Sequence, residues 1–150
     1  MMKQVLILFL LAAMVSSCKI KNRARKDSLL NETEKAQLEM LRKDSTTVKV
    51  IDSLFNFGKI KQGDVVEHKF YFVNTGKKLL VFPINPKTSC GCTVSEKPDK
   101  PIMPGDTSFI KVVFNSKGKS NHVVKSVIVY SNAVPEFPSL ILTGDIESTN

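Results

Sequence analysis

Val65-Val66-Glu67-His68-Lys69-Phe70-Tyr71-Phe72-Val73-Asn74 decides the fold, because Val66, His68, Phe70 and Phe72 share one side of an extended chain while Glu67, Lys69 and Tyr71 share the other. That period of two belongs to a half-buried β-strand, and it predicts that the Phe-bearing side turns inward. On the N-terminal side, Lys61-Gln62-Gly63-Asp64 supplies a turn and Val48 to Phe57 a preceding strand region. On the C-terminal side, Asn74-Thr75-Gly76-Lys77 turns the chain into Leu79 to Ile84, and Ser89 to Ser95 follows as a further strand carrying Cys90 and Cys92.

A loop with Pro98 and Pro101 ends at Pro104-Gly105-Asp106, where proline presets φ and glycine accepts a positive value. The next predicted strand, Thr107 to Asn115, buries either Ile110, Val112 and Phe114 or the opposite set. Ser116 to Ser120 turns again, His122 to Ser131 forms a long strand, and Leu140 to Asp145 closes the sheet, with Phe137-Pro138-Ser139 crowding the loop before that edge. Val127-Ile128-Val129-Tyr130 is apolar on both sides and leaves its parity open. Short strands punctuated by Gly, Pro, Asn and Asp predict an all-β, immunoglobulin-like sandwich of about seven strands over residues 48–150. Phe55, Phe57, Phe70, Phe72, Phe82, Phe109 and Phe114 are expected to fill its core.

The chain of 150 residues is otherwise occupied by a leader and a linker, which leaves room for one small domain and excludes large enzymes. Lys3, the apolar run Val5 to Met14 and then Val15-Ser16-Ser17-Cys18 have the layout of a signal peptide. An apolar run of about ten residues is too short to cross a hydrocarbon core about 30 Å thick. Val15-Ser16-Ser17-Cys18 resembles the bacterial lipobox, which implies removal of residues 1–17 and acylation, of the palmitate kind, at Cys18. Several acyl chains on one residue anchor stably, at about 0.8 kcal/mol per buried methylene. Position 19 is Lys rather than Asp, which resembles lipoproteins passed to the outer membrane. The expected location is the cell envelope, at the outer membrane facing the periplasm, with the cell surface as the alternative.

Residues 18–47 are expected to be the lipidated cysteine and a charged linker, roughly 30 Å in root-mean-square span as a flexible coil. Lys19, Lys21, Arg23, Arg25 and Lys26 stand beside the lipidated residue and can lie against anionic head groups or remain solvated. Asn31 and Glu34 form a capping-box pattern, and Ala36, Leu38, Met40 and Leu41 give helical spacing up to Lys43. All three arginines lie in the linker, so the domain lacks the bidentate phosphate readers of nucleic-acid modules, and no nucleic-acid partner is expected.

Cys90-Gly91-Cys92 is the cluster with chemical reach, since Cys18 would be consumed by acylation and export places the remaining pair in an oxidising compartment. The two thiols can close a small, strained and reducible disulfide across Gly91. Alternatively, residues i and i+2 on a strand point the same way about 7 Å apart, so a bend at Gly91 can bring both sulfurs onto a soft metal such as Cu(I) or zinc. His68 is the first candidate for a further ligand, with His122 and Met103 as the other soft or borderline side chains. As a third option both cysteines are reduced and pack as small apolar groups. His68 shares its side with apolar residues and is expected to be partly buried and satisfied by a neighbouring carbonyl, whereas His122 borders a turn and is expected to be exposed. No metalloprotease, phosphate-loop or nucleotide fingerprint is present, and no local pattern assembles a nucleophile with its base.

Taken together, Phe55-Asn56-Phe57-Gly58-Lys59-Ile60, the turn at Gly63, Phe70-Tyr71-Phe72-Val73-Asn74-Thr75-Gly76, Ser89-Cys90-Gly91-Cys92-Thr93, Pro104-Gly105 and Ser131-Asn132 resemble a bacterial domain-of-unknown-function family of exported proteins and lipoproteins. The resemblance spans residues 50–146, and its most specific element is the C-G-C-T string. It implies an immunoglobulin-like sandwich of the Hydin and major-sperm-protein type, and it implies no activity. The expected function is therefore a membrane-anchored, non-catalytic binding or structural module without cofactor or small-molecule substrate. Its partner would be an envelope protein engaged through a sheet edge or a loop. The competing expectation is a thiol-based redox or soft-metal-handling protein using Cys90 and Cys92.

Overall fold

Alternating strands become a sheet when their inward sides coincide, and the register here brings that about. In the computed structural model, which describes residues 26, 28–89 and 91–148, β3 (Val65–Asn74) runs antiparallel to β6 (Thr107–Asn115), with Val65 opposite Asn115 and Val73 opposite Thr107. Phe70, Phe72, Ile110, Val112 and Phe114 are fully buried as a result. Each such side chain contributes about 1.5–3 kcal/mol on leaving water. β1 (Val48–Val50) flanks β3 and β5 (Cys92–Glu96) flanks β6, giving a first sheet in the order β1-β3-β6-β5.

The second sheet has β2 (Leu54–Lys61) parallel to β8 (Leu140–Glu147), then β7 (Asn121–Ile128) and β4 (Lys87–Thr88), in the order β2-β8-β7-β4. Leu140, Leu142 and Ile146 of β8 and Val127 of β7 face the first sheet, with Phe55, Phe57 and Ile60 of β2 packed against the same core. The all-β sandwich expected from the sequence is thus observed.

Four expectations are corrected. The strand region Val48 to Phe57 is two strands in different sheets: Ile51 N still donates to Tyr71 O, whereas Ser53 O already accepts from Ile141 N. Asp52 and Ser53, poor strand formers, occupy the crossing. Leu79 to Ile84 forms no strand beyond a single bridge from Leu80 to Ile102, because Pro83 and Pro86 lack the N–H that a ladder needs. β8 lies inside its sheet, between β2 and β7, and is not an edge. Phe109 points away from the core, with Lys69 Nζ 4.3 Å from its ring centroid, since the parity of β6 gives Ile110, Val112 and Phe114 to the interior.

Two buried asparagines take up backbone groups here, Asn132 those of the 79–84 segment and Asn74 those of Lys78 at its flank and of Ile102. Asn74 Oδ1 accepts from Thr46 Oγ1 (2.8 Å) and Gly76 N (3.2 Å), and its Nδ2 donates to Lys78 O (2.8 Å) and Ile102 O (2.9 Å). Asn132 Oδ1 accepts from Val81 N (3.0 Å), and its Nδ2 donates to Asp44 O (2.7 Å) and Leu79 O (2.9 Å). Thr46 N donates to Asn132 O, and Val134 N donates to Thr46 O at 2.8 Å, so residues 44–47, just before the expected domain start at Val48, are built into the sandwich. Gly76 is required there: a Cβ would stand 2.5 Å from Thr47 N.

Among the described residues the chain divides after Ala36, inside α1 (Glu32–Arg42), and residues 37–148 hold the sandwich. The capping box expected at the start of that helix is formed, with Glu34 N donating to Asn31 Oδ1 (2.8 Å) and Asn31 N to Glu34 Oε2 (3.0 Å). At its other end Arg42 pairs with Glu39 and, at 2.9 Å, with Glu136.

Candidate functional site

The sandwich is open on the side where the free edges of β4 and β5 face one another. β4 pairs with β7 alone and β5 with β6 alone, so each leaves one side of its backbone without a ladder. Between them lies a cleft of about 690 Å³, walled by Asn85, Pro86 and Thr88 on one side and by Cys92, Val94, Ser95 and Glu96 on the other. Thr88 Oγ1 donates to Cys92 O at 3.1 Å and ties the two edges together at one end. Further along, the β5–β6 register shifts between Val94 and Glu96, a bulge that turns the end of β5. Lys111 of β6 holds that end, with Nζ 2.8 Å from Glu67 Oε2 and 3.8 Å from Glu96 Oε1. The hydrogen bond that the Lys111 ammonium donates to Glu67, more than any other influence, raises it above its usual range.

Cys92 forms the floor of the cleft near its tied end. It is a free, buried thiol, and Gly91 before it has φ +90°, a left-handed conformation that glycine accepts without strain. Burial pushes the thiol up, opposed to a lesser degree by the Lys125 ammonium and by a hydrogen bond with the Ser89 side chain. Ser89 Oγ also accepts from Ser126 N at 3.1 Å, and Ser89 N donates to Ser126 O at 3.0 Å, which fixes the segment before Gly91 onto β7. A thiol held neutral by burial is a poor nucleophile and a poor metal ligand at neutral pH.

Of the residues singled out in the sequence, Cys18 and Cys90 lie outside the described residues. His68 is on β3, separated from β5 by β6 in the same sheet, its ring stacked on Phe55 (centroids 3.9 Å apart, planes at 7°) and edge-on to Phe70. The carbonyl expected to satisfy it is replaced by a carboxylate beyond hydrogen-bond distance: Nε2 is shielded from solvent without a bond, and Asp52 Oδ1 stands 3.7 Å away. His122 is exposed as expected, with Nδ1 2.9 Å from Asp145 Oδ1 and Nε2 3.2 Å from Thr143 Oγ1. Met103 is exposed. Among the described residues no group of three or more His, Cys, Asp or Glu side chains could hold a metal ion.

Sequence reasoning missed Lys125 as a neighbour of Cys92. The signal was present: Val123, Lys125 and Val127 share one side of β7, so a lysine falls on an inward position opposite Leu142. It also missed that β5 would be an edge, because strand order is invisible to alternation.

Comparison with known proteins gives a family but no activity. Residues 48–146 match the family described as "Protein of unknown function (DUF1573)". No curated protein matches. Among solved structures, a protein of unknown function from Porphyromonas gingivalis W83 aligns with a TM-score of 0.57 at 13% identity, over 68% of this chain and 47% of that one. This chain therefore spans about half the length of that relative. The ASH/PapD-like domain 7 of human CEP192 aligns with a TM-score of 0.47 at 10% identity, over 71% of this chain and 89% of that one. The Vibrio cholerae VesB protease aligns with a TM-score of 0.48 at 12% identity, over 77% of this chain and 36% of that one.

Proposed function

This chain belongs to the DUF1573 family of proteins of unknown function, and we propose on that premise that it is a non-catalytic binding module, held in the cell envelope by lipid on Cys18, that receives an extended segment of an envelope protein along the free edge of β5. The observation that carries this reading is the cleft beside that edge. A strand edge supplies main-chain hydrogen bonds and a concavity beside it supplies pockets for alternate side chains, the two things that strand addition uses. β1 and β4, with three and two residues, are too short to template a partner, and it is β5 rather than β2 that lines the cleft.

The lipid anchor and the envelope location rest on Val15-Ser16-Ser17-Cys18 and Lys19. The outer membrane, facing the periplasm, is the location this reading adopts. Cys92 serves as a packing residue of the cleft floor in this reading, in keeping with the upward push on its thiol.

The test is site-specific photocrosslinking in intact cells. A photoreactive residue at Ser95, on the cleft wall, is expected to trap one discrete envelope protein, whereas the same group at Lys59, on β2, traps none. Equal products from both positions, or none from Ser95, would overturn the reading.

A further inference from the structure

The proposed docking edge makes no use of His68, whose Nε2 is the single buried side-chain polar atom without a hydrogen-bond partner among the described residues. We infer that His68 and Asp52 form an acid-engaged strap, in which a proton on His68 draws in the Asp52 carboxylate and holds the β1–β2 crossover against the sandwich.

The geometry is specific. The chain leaves the first sheet at Ile51, whose N–H donates to Tyr71 O, and joins the second at Ser53, whose carbonyl accepts from Ile141 N. Asp52 is the residue between these two bonds. Beneath it lies His68, an inward residue of β3 stacked on Phe55 of β2, so one ring touches both sheets where the chain passes from one to the other. Nε2 and Asp52 Oδ1 are 3.7 Å apart, less than an ångström beyond a charge-assisted hydrogen bond. A small rotation of the half-exposed Asp52 side chain closes that gap, and nothing else competes for the nitrogen.

The other groups around the ring carry no charge. β2 presents Phe55, β3 presents Phe70, and the β6 residue opposite His68 is the buried Val112. Glu67 and Lys69 of β3 point to the outer side of the sheet, where Glu67 is engaged by Lys111 and Lys69 lies over Phe109. Asp52 is thus the partner that a proton on this ring would find. A proton gained by the ring therefore tightens the strap, and its loss slackens it.

Amide hydrogen exchange on the full chain tests this, with protection factors compared at acidic and alkaline pH. In the wild type the amides of residues 51–54 are expected to be about three- to fivefold better protected at pH 5 than at pH 8, the gain a partly exposed ion pair gives. The difference should vanish in Asp52→Asn and in His68→Phe, and persist in His122→Gln, which removes the other histidine. Equal protection at the two pH values, weaker protection in acid, or a difference that survives in Asp52→Asn would overturn the inference. If His68→Phe does not fold, Asp52→Asn decides alone, because its side chain is half exposed and its loss leaves the core intact. None of these readouts depends on a bound partner, so failure here is distinct from failure of the Ser95 crosslink.

Discussion

Asn74 is fully buried, and all four hydrogen-bonding positions of its amide are used. Truncation would take the partner from the Lys78 carbonyl and from the buried Thr46 hydroxyl, and an unsatisfied polar group in the interior costs about 1–3 kcal/mol. Asn74→Ala is therefore expected to destabilise the domain by about 3 kcal/mol, seen as a lower midpoint in urea with an unchanged slope. Cys92 makes a pH-dependent prediction. Its thiol is pushed up by burial, so the folded state keeps it neutral while the unfolded chain ionises it near the usual value of about 8.5. The stability this contributes is complete below that value and is lost as pH rises through the folded thiol's higher one. Alkaline melting of the wild type should accordingly be steeper than that of Cys92→Ala. Alkylation of the native thiol at pH 7.5 should be slow until denaturant is added.

At the scale of elements, β3 and β6 were legible in their bounds, and β3 also in its parity, because its one buried side alternates in a way a one-residue slip would invert, whereas Phe109 and Val113 make β6 apolar on both sides and left its parity open. The sheet crossing at Ile51 to Ser53 was not legible, since local pattern does not say which sheet a strand joins. The 79–84 segment has strand-like composition, yet its backbone is satisfied by the Leu80–Ile102 bridge and by Asn132, a residue distant in sequence whose side chain acts as a substitute for a neighbouring strand. The site was half visible: the C-G-C string marked the place, but the cleft depends on β4 and β5 being edges, a property of strand order. Gly76 offers a prediction at this scale. Gly76→Ala would force Thr47 off β3's end and is expected to cost about 1–3 kcal/mol, measured by chemical denaturation, as overpacking against backbone does.

For the whole molecule, the reading places a folded sandwich at the end of a lipid-bearing linker. Cys18→Ser should abolish incorporation of a clickable palmitate analogue and move the protein from the membrane pellet to the soluble fraction, while leaving the melting temperature of the domain unchanged. Retention in the pellet without acyl label would mean that another element holds it. The seating of Thr46 between Asn132 and Val134 bears on what such an arrangement can withstand. The chain enters beside Ala133 in parallel orientation. Along the chain, the bonds of Asp44 and Thr46 to the 132–134 segment therefore come before the three-residue β1. If the anchor is the one proposed, a tug from the membrane would meet this entrance first, away from the edge where a partner would sit.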